Sequence, residues 1–437
     1  MEQEIKTYEQ AVEYIENIPK FTGKNDTKDT KDFLRFLSHP EKEQKIIHIA
    51  GTNGKGSVCA YLCSLLMEAG FSVGTFISPH LVDMTERIRM NGIPVEREEF
   101  LTAFKKILEE VGKKASSYHP AYFEILFFMA LEIFRQKKPD YVILETGLGG
   151  RLDSTNCVEN PLMSVISRIG MDHMQFLGNT LEEIAAEKAG IIKTGIPVVY
   201  DNSVAVAAKV IEEKAGQMAS PCFSVSKKDY TLLNFKNKTI DFSYYSRYYE
   251  YVSLSLDTTA FYQMENAALA LRTAELLLQK DILTPEVMRR AVMKTHWEGR
   301  MEEIAEGVLV DGAHNEDGIA AFLDSVKRDE CKGKRFLIFG AVKDKAYKAM
   351  AEHIVDCGLF EEMAAVGMKS ARALDAEELR DTFARWENER IMFFTEVGQA
   401  YEVFRKKQRT EDRIYVAGSL YLVGELKGYL RMRGSHD

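Results

Sequence analysis

A short apolar run, Lys45-Ile46-Ile47-His48-Ile49-Ala50, leads directly into Gly51-Thr52-Asn53-Gly54-Lys55-Gly56-Ser57 and then into a helical pattern that Gly70 ends. No other feature constrains the chain as strongly. Strand, glycine turn and helix in that order commit the backbone to one unit of a parallel sheet. Successive N–H groups in such a turn at a helix start form an anion nest, and Lys55 adds a point charge. A triphosphate fits there, against Thr52, Asn53, Gly54, Lys55, Gly56 and Ser57. The glycine spacing is shorter than in the standard G-x-x-x-x-G-K-[ST] loop, and Gly56 separates Lys55 from Ser57. A glycine turn with no ligand is the bland alternative; the strand before it and the helix after it weigh against that alternative.

Similar apolar runs recur at 72–77, 141–144, 162–166 and 196–199, separated by helical stretches, which implies a mostly parallel sheet covered on both faces. Between about residues 225 and 256 the pattern becomes a small antiparallel excursion of short alternating segments. Further strand patterns at 307–310, 335–339, 362–366 and 413–416 alternate with helices in a second unit. A chain of 437 residues exceeds what one core usually supports. The expected architecture is therefore α/β. A P-loop, mostly parallel sheet domain spans residues 1–296, and a smaller C-terminal α/β Rossmann-like domain spans 297–437.

Hydrophobic residues make up 46% and charged residues 28%, the usage of a globular protein. The net charge of -9 argues against non-specific nucleic-acid binding, yet leaves room for an anionic ligand in a locally basic pocket. The amino terminus lacks a secretory pattern, and the longest apolar stretch, 125–134, is broken by Glu132 and is too short to span a bilayer. Six cysteines without a CxxC pair fit reduced thiols, with Cys59 and Cys63 in core packing. The expectation is a cytoplasmic monomer with no nucleic-acid or membrane partner.

In a parallel sheet, ligands collect at the carboxyl ends of the strands. Ser78, Glu145 and His173 follow three of the runs, and such groups suit a hard cation, Mg²⁺, that bridges phosphates. Singly, each has a bland reading as a turn cap, a solvated strand end or a satisfied polar residue. Lys188 and Lys193 lie in Glu187-Lys188-Ala189-Gly190-Ile191-Ile192-Lys193, where spacing alone reads Lys188 as a surface ion pair and Lys193 as a helix-end cation. In the second unit, Asp311-Gly312-Ala313-His314-Asn315 follows a strand and sets polar side chains at a tight turn. Gly418-Ser419 has the same character, and Arg300 lies where it could reach either unit.

These segments resemble a known family. Gly51 to Ser57, Ile77-Ser78-Pro79-His80-Leu81, Leu144 to Asp153, Met171-Asp172-His173, Glu187 to Lys193, Trp297 to Arg300, Asp311 to Asn315 and Gly418-Ser419-Leu420-Tyr421 look like folylpolyglutamate synthases and dihydrofolate synthases, relatives of the Mur ligases. The resemblance implies that an acid and an amino acid are joined at the expense of ATP, with a folate and L-glutamate as substrates. It implies that Lys55 and the loop amides hold ATP, with Asn266, Arg300 and Asp311 also contacting it. Ser57, Ser78, Glu145 and His173 would bind Mg²⁺, and Lys188 would be a carbamylated metal ligand, which reverses the ion-pair reading. Lys55, His173, Lys188, Asp311 and His314 would be catalytic, and Phe123, Arg151, His314 and Ser419 would meet the substrates.

The family pattern often has Gly-x-His-Gln before the helix carrying Asn266, whereas this chain has Ala260-Phe261-Tyr262-Gln263. A peptidoglycan-type Mur ligase is the alternative, as is a nucleotide-binding protein without ligase activity. Only about fifty residues precede Gly51, which leaves no room for a UDP-sugar domain, and Gly56 stands where Mur loops usually have threonine.

Overall fold

The computed structural model describes residues 5–18, 27–114, 118–370, 372–384, 386 and 390–434. The first sheet comprises Ile46–Ala50 (β1), Val73–Phe76 (β2), Ile88–Met90 (β3), Ile93–Pro94 (β4), Tyr141–Glu145 (β5), Met163–Ile166 (β6), Val198–Asp201 (β7) and Cys222–Val225 (β8). Their order is β4-β3-β2-β5-β1-β6-β7-β8, parallel from β2 to β8, with β3 and β4 an antiparallel hairpin at one edge. All five residues of β1 are buried, which is why that run reads as unbroken apolar sequence around His48. The hairpin escaped the sequence reading because strands of three and two residues carry no usable periodicity.

Lys55–Glu68 covers one face of the sheet together with Gln263–Leu277. Tyr122–Lys137 covers the other face. It is buried from Glu124 to Phe134, so the long apolar stretch is a core helix. Each large side chain there, such as Phe127 or Phe134, contributes about 1.5–3 kcal/mol of burial. Glu132 is tolerated inside it because Arg135 pairs with it at 2.8 Å and Lys106 closes on the same carboxylate. No helix among the described residues is long and apolar enough to cross a membrane.

Tyr230–Lys236 (β9), Thr239–Tyr244 (β10) and Val252–Asp257 (β11) form a separate antiparallel sheet. Ile240, Phe242 and Tyr244 alternate inward onto the helical layer, matching the period-two pattern.

The chain then enters a second sheet of Glu302–Ala305 (β12), Val308–Val310 (β13), Arg335–Phe339 (β14), Glu362–Val366 (β15), Ile391–Phe394 (β16) and Arg413–Ala417 (β17), ordered β12-β13-β17-β14-β15-β16. All neighbours are parallel except β12 and β13. Strands β12 and β16 are additions to the expected four; both are edge strands with little full burial, so their apolar signal is weak.

Candidate active site

The glycine loop leaves β1 with Gly51 at φ 149° and Gly54 at φ 90°, backbone conformations that favour glycine. A Cβ on Gly54 would lie 2.2 Å from Asn266 Oδ1, so the helix carrying Asn266 presses on the loop. The first bond of the following helix runs from Val58 N–H to Gly54 O. The N–H groups of Lys55, Gly56 and Ser57 therefore open outward at the helix start. Thr52 and Asn53 N–H are already tied to the Arg168 carbonyl at 3.0 and 3.1 Å, which fixes the loop to the strand end beside it. Lys55 Nζ folds back on Gly51 O at 3.2 Å and lies 4.0 Å from Glu145 Oε1.

Glu145 ends β5 and is only 3% exposed. Burial pushes its carboxyl up, opposed by Lys55 and by the Ser78 N–H that Oε2 accepts at 3.0 Å. Lys188 is also buried rather than paired on the surface, because its helix turns inward under the loop; Nζ donates to Gly51 O at 2.8 Å. Burial, reinforced by the Lys55 charge, brings its pKa down to about 7. His173, in the left-handed region at φ 49°, is kept neutral by burial, its pKa lowered to about 3. Its Nε2 accepts from Lys345 Nζ at 3.0 Å.

The facing wall comes from the second sheet. Asp311, 2% exposed, follows β13 and accepts from Ala313 N at 2.8 Å, Met301 N at 3.0 Å and the Tyr262 hydroxyl at 2.5 Å. His314 donates Nδ1–H to Gly312 O at 2.8 Å and turns Nε2 toward Asp172 Oδ2 at 3.6 Å; burial lowers its pKa, favouring the neutral ring. Asp172 gathers the second unit onto the first: Lys345, His314 and Asn315 all reach it. Burial opposes its charge, yet His314 and Lys345 hold its carboxyl well below the usual range.

Two cavities result. One of about 350 Å³ holds the glycine loop, Glu145, Lys188, Asn266, Arg300 and Asp311. The other, about 280 Å³, has apolar walls from Tyr122, Phe123, Leu152 and Leu420, with Arg87, Arg372, Lys345 and Ser419 as polar points. They meet at Ser78, Leu148, His173 and His314, which line both. The structure thus brings together the residues singled out from sequence except Lys193, whose Nζ donates to Asn156 O at 2.9 Å outside both cavities, and Arg151. That side chain is 56% exposed, paired with Glu187 at 2.8 Å, and lines neither cavity, because its backbone N–H is held on Glu187 O at the outer end of the helix. Asp172, Tyr262, Asn315, Lys345 and Arg372 were not singled out. Asp172 and Asn315 sit inside segments already conspicuous for their neighbours; Lys345 and Arg372 carry no local signal.

A glycine-loop sheet domain closed over by a second α/β unit, with buried acidic and basic groups between, defines an ATP-dependent acid–amino-acid ligase of the Mur type. The Mur ligase middle domain matches residues 49–274, and the Mur ligase glutamate ligase domain matches 299–420. A dihydrofolate synthase/folylpolyglutamate synthase of Bacillus subtilis (strain 168) is 35% identical, over 97% of this chain and 99% of its own length. A folylpolyglutamate synthase of Lacticaseibacillus casei is 31% identical over 79% of this chain and 82% of its own. The structure of E. coli FolC in complex with DHPP and ADP superposes with a TM-score of 0.86 at 26% identity, covering 99% of this chain and all of that one. The chain belongs to the folylpolyglutamate synthase/dihydrofolate synthase family of the Mur ligase superfamily.

Proposed function

We propose that the chain adds L-glutamate to the γ-carboxyl of a folate through an acyl phosphate, and that it also accepts dihydropteroate. The observation that carries this reading is the junction of the two cavities at Ser78, His173 and His314. A nucleotide on the glycine loop would point its terminal phosphate at that junction, where an acid lying along Phe123 and Tyr122 would present its carboxylate. A carboxylate oxygen attacks the terminal phosphorus and ADP leaves; the amine nitrogen of glutamate then attacks the acyl carbon, expelling inorganic phosphate. Lys55 and the N–H groups of Lys55, Gly56 and Ser57 stabilise charge on the transferring phosphoryl. Neutral His314, at the junction, is suited to take the proton from the amine. Arg87, Arg372 and Lys345 supply positive charge for the carboxylates of a dianionic amino acid and a folate.

The residues fit Mg²⁺ in part. Glu145 is a buried carboxylate with one cation, Lys55, at 4.0 Å, and the hydroxyls of Ser57 and Ser78 complete an oxygen-donor set of the kind Mg²⁺ shares with phosphates and water. No group of three or more His, Cys, Asp or Glu able to hold a metal lies among the described residues, so phosphate oxygens would complete the shell. The His173 Nε2 lone pair would join once Lys345 releases it. When bound, the ion neutralises charge on the phosphates. Lys188, buried and poised near neutrality, fits carbamylation, since only the uncharged amine adds carbon dioxide. We place this chemistry in the cytoplasm, where ATP is supplied, and in a monomer.

The test is ADP release by the purified protein: turnover should require both a folate, or dihydropteroate, and L-glutamate. ADP release indifferent to either would overturn the ligase reading of this site.

A further inference from the structure

Ala260-Phe261-Tyr262 is the stretch that departs from the family pattern, and it lies where the two units join. Ala260 is buried in the core of the second unit, while Phe261 is buried in the core of the first. The Phe261 N–H donates to Ser325 Oγ at 3.2 Å on the helix Glu316–Arg328, and the Arg328 guanidinium lies 5.0 Å above the Phe261 ring. The backbone is therefore gripped from both sides immediately before Tyr262. Tyr262 then stands at the first position before the helix carrying Asn266, makes no side-chain capping bond to it, lines the nucleotide cavity, and delivers its hydroxyl to Asp311 Oδ2 across the cleft at 2.5 Å.

A carboxylate offers about four acceptor positions, two on each oxygen. Asp311 Oδ2 accepts from Tyr262 and Met301, and Oδ1 accepts from Ala313 alone. Oδ2 is saturated. The position that remains is on Oδ1, in a cavity that Arg300 and Asn266 also line.

We propose that Tyr262 is a nucleotide-positioning residue: by occupying Asp311 Oδ2 from the opposite domain it turns Oδ1 toward a sugar hydroxyl of the bound nucleoside triphosphate. This rests on the nucleotide reading of the cleft. Without the hydroxyl, Oδ2 regains an acceptor position open to water or to the sugar hydroxyl itself, although Met301 and Ala313 still hold the two oxygens, and the carboxylate's preference for a donor at one place is lost. The ring remains as a wall, so the change bears on the sugar and leaves amino-acid binding alone.

The experiment is competitive titration of a fluorescent ATP analogue from the full chain and from Tyr262→Phe, using ATP, 2′-deoxy-ATP and 3′-deoxy-ATP. The wild-type chain should bind one deoxynucleotide about ten- to a hundredfold more weakly than ATP, the loss expected for one charge-assisted hydrogen bond. Tyr262→Phe should bind ATP more weakly by a similar factor and no longer distinguish that deoxynucleotide from ATP, with KM for glutamate unchanged. Equal loss for all three nucleotides, unaltered ATP binding, or a wild-type chain blind to the sugar hydroxyls would overturn the proposal. Failure of the wild-type chain to bind ATP at all would instead overturn the nucleotide reading.

Discussion

Asn53 of the glycine loop and Asn315 of the second unit exchange two side-chain amide hydrogen bonds across the cleft, at 3.2 and 3.0 Å. The orientation of the pair is determined by Gly318 N–H, which needs the Asn315 oxygen at 2.8 Å and so leaves the Asn315 nitrogen to reach Asn53 and Asp172. One asparagine therefore caps the helix Glu316–Arg328, touches the loop and touches Asp172. Asn315→Ala should destabilise the second unit by about 1–2 kcal/mol through loss of the cap and the buried amide partner. Asn53→Ala, which leaves the cap intact, should cost less. Scanning calorimetry resolves the two transitions; equal destabilisation would contradict this division of roles.

Lys345 and Asp172 form a buried pair, with side chains 5% and 7% exposed, that joins the two units. Lys345→Met leaves the buried Asp172 carboxylate without its closest cation, a change that typically costs about 3–5 kcal/mol. Adding Asp172→Asn removes the stranded charge. The double variant should therefore unfold at a higher temperature than Lys345→Met alone; additive losses would mean that the pair is not coupled.

The Asp172 cluster marks where the sequence stops being readable. Asp172 and Lys345 are brought together by two sheets whose packing no local pattern encodes, whereas Glu145 and Ser78 were found because each immediately follows an apolar run at a strand end. Lys188 was misjudged by spacing because a lysine next to Glu187 near a helix end looks the same on an exposed and a buried helix face. Arg151 was the opposite case: placed by resemblance among the substrate residues, it is drawn outward by Glu187. Gly56, legible as a departure from threonine, acquires a cause in three dimensions, since a Cβ there would lie 3.0 Å from the Trp297 ring. The phosphate loop, the strand alternation and the Asp311 to Asn315 turn were legible because they are local; sheet order, edge strands and the pairing of the two walls across the cleft are not.

His48 lies within β1, fully buried, with Nε2 2.8 Å from Thr155 Oγ1. Because the Thr155 hydroxyl donates to Asp153 at 2.6 Å, it must accept from His48, so the neutral ring carries its proton on Nε2. Burial lowers the His48 pKa to about 3. The unfolded chain takes up a proton near pH 6.5 that the folded chain refuses, so this contribution to stability is full above about pH 6.5 and declines as pH falls toward 3, by up to about 1.4 kcal/mol per pH unit. His48→Gln, which keeps a donor but cannot titrate, should flatten the slope of unfolding midpoint against pH below about 6.5. An unchanged slope would exclude His48 as its source.

Lys188 should lose its capacity to add carbon dioxide as pH falls below about 7, where the amine becomes protonated. Activity should therefore fall in carbon-dioxide-depleted buffer and return with bicarbonate. Lys188→Arg, which stays charged, should lose activity on the order of a hundredfold and not respond to bicarbonate. Activity indifferent to carbon dioxide would exclude the carbamate.

The central claim is that the acid's carboxylate is phosphorylated where the two cavities meet. A folate labelled with heavy oxygen in its γ-carboxylate tests this most directly. Mass spectrometry of the inorganic phosphate released during turnover with ATP and L-glutamate should find one heavy oxygen atom per phosphate. Unlabelled phosphate, with the label retained in the folate product or lost to water, would contradict the acyl-phosphate account.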